Sequence, residues 1–366
     1  MRTIARIAAQ AWDRRGPWGA ILQLALAPAA AVYCAGARGR NFLYDRGWRR
    51  AVRAGAPVVS VGNLTVGGTG KTPFVIWLAG EFERRGFQVA VLSRGYGRRS
   101  RGVRVVAEGG QRVLGVDDAG DEPSLVGRRV RAIVVVGEHR AAAAQAAVER
   151  GADLLLLDDG FQHRALARDF DLLLLDRDRH GENRWTLPAG PLREPASGAA
   201  RAHAIVLVER GPSRSGIQPG QGRVAKMAPE KPCFRAVVKA QALVVPDGAA
   251  WVEEPLRNLG GQRVLAVSGI AETKPFYAML NQWEARMVGT LEFGDHHRYD
   301  RLDWRTIVNV ARTADLIVTT EKDLVKLEQF PFSQGSIAAI RLGVEVENAE
   351  GLLGAVSAAI DDARSR

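Results

Sequence analysis

Residues 60–73 read Ser60-Val61-Gly62-Asn63-Leu64-Thr65-Val66-Gly67-Gly68-Thr69-Gly70-Lys71-Thr72-Pro73. With Pro57 to Val61 as a short β-branched run, they predict a strand, a glycine-rich loop and a helix start. Gly67, Gly68 and Gly70 permit a turn tight enough to aim several backbone N–H groups at one anion. Thr65, Val66 and Thr69 complete the loop. Lys71 can reach the outer phosphates of a nucleotide, and the Thr72 hydroxyl can ligate Mg²⁺. The helix N-terminus adds a positive dipole end, and Pro73 is tolerated in a first turn. Thr65 departs from the strict pattern, which has Gly there. Phe74, Val75, Leu78 and Phe82 then share one helical face, and Gly86 is placed to cap the end. The stretch therefore implies a nucleoside triphosphate with Mg²⁺.

Outward from this loop, short apolar runs alternate with helical patterns. Residues 88–93, 131–136, 152–158, 170–176 and 204–209 read as buried strands, and 138–150 as an alanine-rich helix. Residues 102–116 alternate as a hairpin would, and 117–123 read as an acidic turn. Such alternation predicts an α/β fold, a P-loop NTPase-like doubly wound, mostly parallel sheet covered on both faces. Residues 211–231 are rich in Gly, Pro and Ser and mark a boundary. Residues 232–245 read as strands of a β-ribbon linker. A second, smaller α/β lobe follows, with strands near 263–267, 287–293 and 315–319, helices near 274–283 and 302–313, and a last helix at 349–364. The expected division is 1–56, 57–222, 223–250 and 251–366.

The 366 residues carry a net charge of +11, of which +8 falls within residues 1–56. The basic character is thus local, and it flanks the apolar run 17–36 rather than an aromatic-studded face. That distribution argues against a nucleic-acid partner. Three readings of the run stand: a helix dipping into the cytoplasmic face of a membrane with arginines on anionic headgroups, a buried hairpin, or a full span. Arginines on both sides disfavour the span. Two distant cysteines, Cys34 and Cys233, provide no disulfide framework and suit a reducing compartment.

Asp158 and Asp159 end a buried strand, where ligands of open parallel sheets collect, and either can serve a metal ion. His163 follows them, with Gln162. Asp121 is a candidate base for a hydroxyl nucleophile. Asp295-His296-His297 cannot both aim their imidazoles at one ion from a strand, since side chains alternate. A His held by a carboxylate is the sharper reading there, and zinc is rejected. Arg193 presents a planar fork for phosphate, and Arg94 lies in an arginine-rich loop. A guanine-selecting motif would need another spacing than Thr320-Glu321-Lys322-Asp323 has, which separates the chain from switch GTPases.

Several blocks together resemble the tetraacyldisaccharide 4′-kinase (lipid A 4′-kinase) family. They are Val61 to Pro73, Ser93-Arg94-Gly95-Tyr96-Gly97, Gly120-Asp121-Glu122-Pro123, 157–163, 187–195, Gly269-Ile270-Ala271, Phe293-Gly294-Asp295-His296-His297 and 319–323. They stand in family order over most of 57–326, and Thr65 is what this family's loop looks like. The resemblance implies a kinase on the cytoplasmic side of the inner membrane, peripheral or monotopic through residues 1–40. It would phosphorylate the 4′-hydroxyl of tetraacyl glucosamine disaccharide 1-phosphate, with ATP and Mg²⁺. It further implies Asp121 as base paired with His296, and Lys71, Thr72, Asp158 and Asp159 serving MgATP. Asn63, Arg94, Glu122, His163, Arg193 and Glu194 are expected at the substrate.

Overall fold

The computed structural model describes residue 12 and residues 16–177, 183–210, 228, 230–248, 250–333 and 335–366. The elements begin with α1 (Gly16–Asp45), β1 (Val58–Asn63), α2 (Lys71–Arg84), β2 (Val89–Ser93), β3 (Arg104–Glu108), β4 (Gln111–Arg112), α3 (Val116–Ala119) and α4 (Asp121–Arg129). Next come β5 (Ile133–Val136), α5 (Arg140–Val148), β6 (Leu154–Asp158), β7 (Phe170–Asp176), β8 (Ala204–Arg210), β9 (Cys233–Asp247) and β10 (Ala250–Glu254). The chain closes with β11 (Arg263–Ser268), α6 (Lys274–Gln282), β12 (Arg286–Glu292), α7 (Arg301–Val310), β13 (Leu316–Thr320), α8 (Glu321–Leu327), β14 (Ile337–Val346) and α9 (Ala349–Arg364).

Among the described residues the strands form one sheet, ordered β12-β11-β13-β14-β9-β8-β7-β1-β6-β2-β5-β3-β4, with β10 beside β9. Pairing is parallel except at β3–β4, β3–β5, β9–β10 and β9–β14. β1 lies centrally, parallel to both β6 and β7. β6 and β7 read LLLLD and FDLLLLD and are buried at every position, as strands covered on both faces must be. One covering layer contains Phe74, Val75, Leu78 and Phe82 of α2 with Leu125 of α4; the other contains Ala143, Ala144 and Ala147 of α5. The fold is the doubly wound α/β type the glycine-rich stretch predicts.

β9 spans the expected ribbon as one 15-residue strand. Residues 233–238 pair with β8 along one edge and residues 236–244 with β14 along the other, so the sheet runs through it unbroken. The boundary expected at 211–231 falls largely outside the described residues.

Two local expectations change, and the last helix, found at its expected 349–364, is given its packing partner. Residues 117–123 are not a turn: Gly120, at φ 91°, lets the chain leave α3 and start α4, whose first residue is Asp121. Pro123 sits in that first turn, where no N–H is needed. The strand β14 was not foreseen, because its Ala338-Ala339 pair and Gly343 dilute the β signal. The last helix packs beside α2, with Leu352, Leu353, Val356 and Ile360 in the same core as Phe74.

At the other end, α1 is a single 30-residue helix, longer than the apolar run 17–36, and not a hairpin. Its buried side chains include Gln23 and Ala30, whereas Ile21, Leu24 and Val32 are more than half exposed. By length and composition it is apolar enough to cross a membrane. It rests on the 183–195 segment through Gln23 Nε2 to Ala189 O (3.1 Å), Tyr33 Oη to Arg193 O (2.9 Å) and Asn41 Nδ2 to Glu194 Oε2 (2.8 Å).

Candidate active site

The glycine-rich loop leaves β1 at Asn63 and enters α2 at Lys71. Gly70 caps the helix at φ 77°, and a Cβ there would lie 3.1 Å from Val208 and Val238. Only glycine suits both the left-handed backbone and the close strand. Asn63 is fully buried beneath the loop and donates to Thr69 Oγ1 at 2.9 Å. It therefore braces the loop from within and does not face the cleft as a substrate residue would. Thr65 bridges Leu192, and the Val66 N–H is taken by Pro191 O at 2.9 Å. The backbone of Thr65 and Val66 is thus engaged with the 191–192 segment. Gly67 and Gly68 follow in the chain, and Thr72 is a buried residue at the second helical position.

β6 aligns Asp158 with Val61 of β1, which sets the two carboxylates beside the loop. They differ in surroundings. Asp159, at φ 53°, meets Lys71 Nζ at 3.4 Å and Arg193 Nη1 at 2.6 Å. Burial alone would raise its pKa, but the charges of Lys71 and Arg193 outweigh that and hold it low. Asp158 is buried, and its Oδ1 has no protein partner. Burial, aided by the charges of Glu122 and Asp159, pushes its carboxyl well above the usual range. A buried carboxylate oxygen without a protein partner, on the strand next to the one that feeds the loop, is a donor that would suit Mg²⁺. Among the described residues no three or more His, Cys, Asp or Glu side chains gather where they could hold a metal ion.

The second centre is built across the sheet. Loop 93–98 packs on the α3–α4 junction so closely that a Cβ on Gly95 would lie 2.9 Å from Ala119 O. This places Asp121, at the head of α4, opposite the 294–297 loop. His296 Nδ1 stands 2.9 Å from Asp121 Oδ2 and 3.0 Å from Oδ1. An ionised carboxylate only accepts, so Nδ1 carries the proton. The Tyr96 ring packs on His296 at 5.1 Å between centroids. Burial would raise the Asp121 pKa, but the His296 hydrogen bond and the charges of Lys322, His296 and Lys326 hold it far below the usual carboxylate range. The same hydrogen bond raises His296 against its own burial. A cavity of about 360 Å³ opens beside the pair, walled by Tyr96, Arg99, Arg298 and Lys326 among others.

Glu122 and Lys322, which form an ion pair, link the two centres. The Lys322 charge favours the ionised form of Asp121 and opposes, without overcoming, the rise at Asp158.

The remaining expected residues divide. His163 is partly buried and held down to about 4 by burial and by Arg140, Arg168, Arg94 and Arg40, so it is neutral at physiological pH. Arg94 and Arg140 thus form a cationic corner around His163, and Arg140 also senses the charges of Asp158 and Asp159. Glu194 has no exposure: Arg201, Gln162 and Asn41 occupy its carboxylate at 2.8–2.9 Å. It ties α1 to the 160–163 and 183–195 segments and is closed to direct substrate contact. Two residues escaped the sequence reading. Arg140 supports the cationic corner but looks like a helix-surface arginine. Lys326 reaches Asp121 from α8, and nothing in its local sequence marks it.

A glycine-rich turn on a central parallel strand, a lysine at the first helical position, a carboxylate-ended neighbouring strand and a separate carboxylate–imidazole pair define a P-loop phosphotransferase. The family profile described as tetraacyldisaccharide-1-P 4′-kinase (LpxK) matches residues 22–361, and the chain belongs to that family. A tetraacyldisaccharide 4′-kinase of Anaeromyxobacter sp. (strain K) is 41% identical over 357 residues, covering 96% of this chain and 93% of that one. The one from Syntrophus aciditrophicus (strain SB) is 41% identical over 319 residues, 84% of each chain. LpxK from Aquifex aeolicus, solved in complex with ATP, superposes with a TM-score of 0.78 at 32% identity, over 93% of this chain and 99% of that one.

Proposed function

We propose that the chain transfers the γ-phosphate of ATP to the 4′-hydroxyl of tetraacyl glucosamine disaccharide 1-phosphate, producing lipid IVA in lipid A biosynthesis. The observation that carries this is the Asp121–His296 pair at 2.9 Å in one electrostatic cleft with the P-loop lysine and Asp158. A hydrolase would need only to orient water. A buried carboxylate across the cleft from the phosphate loop instead suits a hydroxyl acceptor that must lose its proton.

Backbone N–H groups from Gly67 onward and Lys71 bind the β- and γ-phosphates. Asp159 keeps Lys71 and Arg193 aimed at the transferring group, since it is ion-paired with both. Mg²⁺, held by Thr72 and Asp158, with Asp159 behind it, would neutralise the phosphate charge that builds up during transfer. Asp121 accepts the 4′-hydroxyl proton while His296 fixes its orientation and keeps it ionised. A strongly depressed pKa is compatible with this role, because in a loose transition state the proton leaves late. Arg94, Arg140 and His163 form the corner that receives the anionic lipid headgroup, and Arg193 reaches the phosphate side. Glu122 holds Lys322 over the same cleft.

The exposed apolar face of α1 and Arg38 and Arg40 near its end support a position on the cytoplasmic face of the inner membrane of a Gram-negative cell, as a peripheral or monotopic enzyme. No nucleic acid is involved. Residues 57–222 and 251–366 act as two lobes joined at 223–250, and their closure excludes water from the transfer.

The test is transfer of ³²P from γ-labelled ATP to the tetraacyl disaccharide 1-phosphate in micelles, with Lys71→Ala alongside. Labelled lipid from the wild type alone supports the reading. Steady ATP or GTP hydrolysis without labelled lipid overturns its acceptor half.

A further inference from the structure

Beneath Asp121 lies a polar group that the mechanism above does not use. Lys326, in the last turn of α8, is buried, with 6% of its surface exposed. Its Nζ sits 2.9 Å from Asp323 Oδ1 and 3.7 Å from Asp121 Oδ2, and 5.4 Å above the Tyr299 ring. Asp323 is itself anchored: its Oδ2 accepts from the Gly269 N–H and from Thr320 Oγ1, both at 2.8 Å. Gly269 follows the last residue of β11 and Thr320 ends β13, two neighbouring parallel strands of the second lobe.

A buried ammonium is costly unless matched by carboxylates. For α8 alone, Asp323 would suffice as an i,i+3 partner. The approach to Asp121 needs a further reason, since it brings Lys326 to the oxygen that His296 also contacts. The other charges facing Asp121 are Lys322, and Arg99, Asp117, Arg298, Asp300 and Arg301 around the cavity. Its Oδ1 also accepts the Glu122 N–H at 2.9 Å.

We infer that Lys326 is a positioning residue for Asp121. Anchored by Asp323 to the strand ends of the second lobe, it fixes Asp121 Oδ2 from below while His296 fixes it from the cleft side. The base of the first lobe is thereby set by two side chains of the second. This inference rests on the reading of Asp121 as the base.

The experiment measures kcat and KM for ATP and for the lipid in the full-length Lys326→Met, Lys326→Arg, Asp323→Asn and Asp121→Asn variants, with thermal melting of each. Lys326→Met is expected to lower kcat about tenfold or more, a typical scale for disturbed acid–base groups. KM for ATP should stay within about twofold, since the phosphate loop is untouched. Lys326→Arg should recover much of the loss, and Asp323→Asn should resemble Lys326→Met. An inactive Asp121→Asn beside a fully active Lys326→Met overturns this inference and leaves the base reading standing. An active Asp121→Asn overturns both. Equal kcat losses in Lys326→Met and Lys326→Arg, each with a matching drop in melting temperature, assign Lys326 to stability alone and also overturn it.

Discussion

Asp158 and Asp159 reach the cleft on the strand beside the one that feeds the P-loop, whereas Asp121 meets His296 across 175 residues of chain. The first centre is held by parallel ladder bonds between buried strands, with every position of β1 and β6 covered. The second depends on how α4 of one half lies against α8 and the 294–297 loop of the other. Ion pairs fix that seat: Glu122 to Lys322, Arg129 to Glu321 at 2.7 Å, and Arg128 to Glu328 at 2.5 Å. The P-loop and its two aspartates are therefore a property of the sheet, and the Asp121–His296 pair a property of the contact between halves.

The largest expected effect breaks the phosphate centre. Lys71→Ala should lower phosphoryl transfer by about 10³-fold or more, measured as labelled lipid, because a charge aimed at the transferring group is lost. Asp121→Asn should come next, cutting kcat by roughly 10²–10⁴ with little change in ATP affinity. Comparable losses in both quantities would move Asp121 to the nucleotide and merge the two centres. The same variant should also lower the His296 pKa as followed by NMR, since the hydrogen bond to Asp121 is the main cause of its rise.

Glu321→Leu tests the contact between halves. It strands Arg129 and Arg341, both within 3.0 Å of the Glu321 carboxylate, and should cost about 3 kcal/mol in denaturant unfolding. In the folded fraction kcat should fall while ATP binding persists. Equal loss of both would show the centres to be one cooperative unit.

The smallest effect concerns His163. Its folded pKa of about 4 lies below the unfolded value near 6.5, so the unfolded chain binds more protons between them. Stability should thus decline as pH falls from about 6.5 toward 4. His163→Gln should flatten that part of the melting-temperature profile, and an unchanged slope would assign the decline to other groups.

The terminal helices show what the sequence left open. α9 buries Leu352, Leu353, Val356 and Ile360, each contributing about 1.5–3 kcal/mol as an upper figure. α1 is nearly twice as long, yet it is attached mainly through hydrogen bonds worth about 1 kcal/mol apiece. Both patterns are apolar in sequence. Only docking shows that one apolar face is covered by the protein and the other is not.

The sequence by itself determined the P-loop, the buried parallel strands and the carboxylates at the end of β6, because each is written in contiguous residues with a short-range physical cause. It also contained Asp121 and His296, but as an acidic turn and a polar loop whose pairing came only from resemblance. Only the tertiary contacts put Asp121 at the head of a helix, bury Glu194 and Asn63 among their partners and bring Lys326 to 3.7 Å from Asp121. Those outcomes rest on side chains distant in sequence meeting in a low-dielectric interior, where an unmatched charge is costly. Local propensity contains no information about such partners.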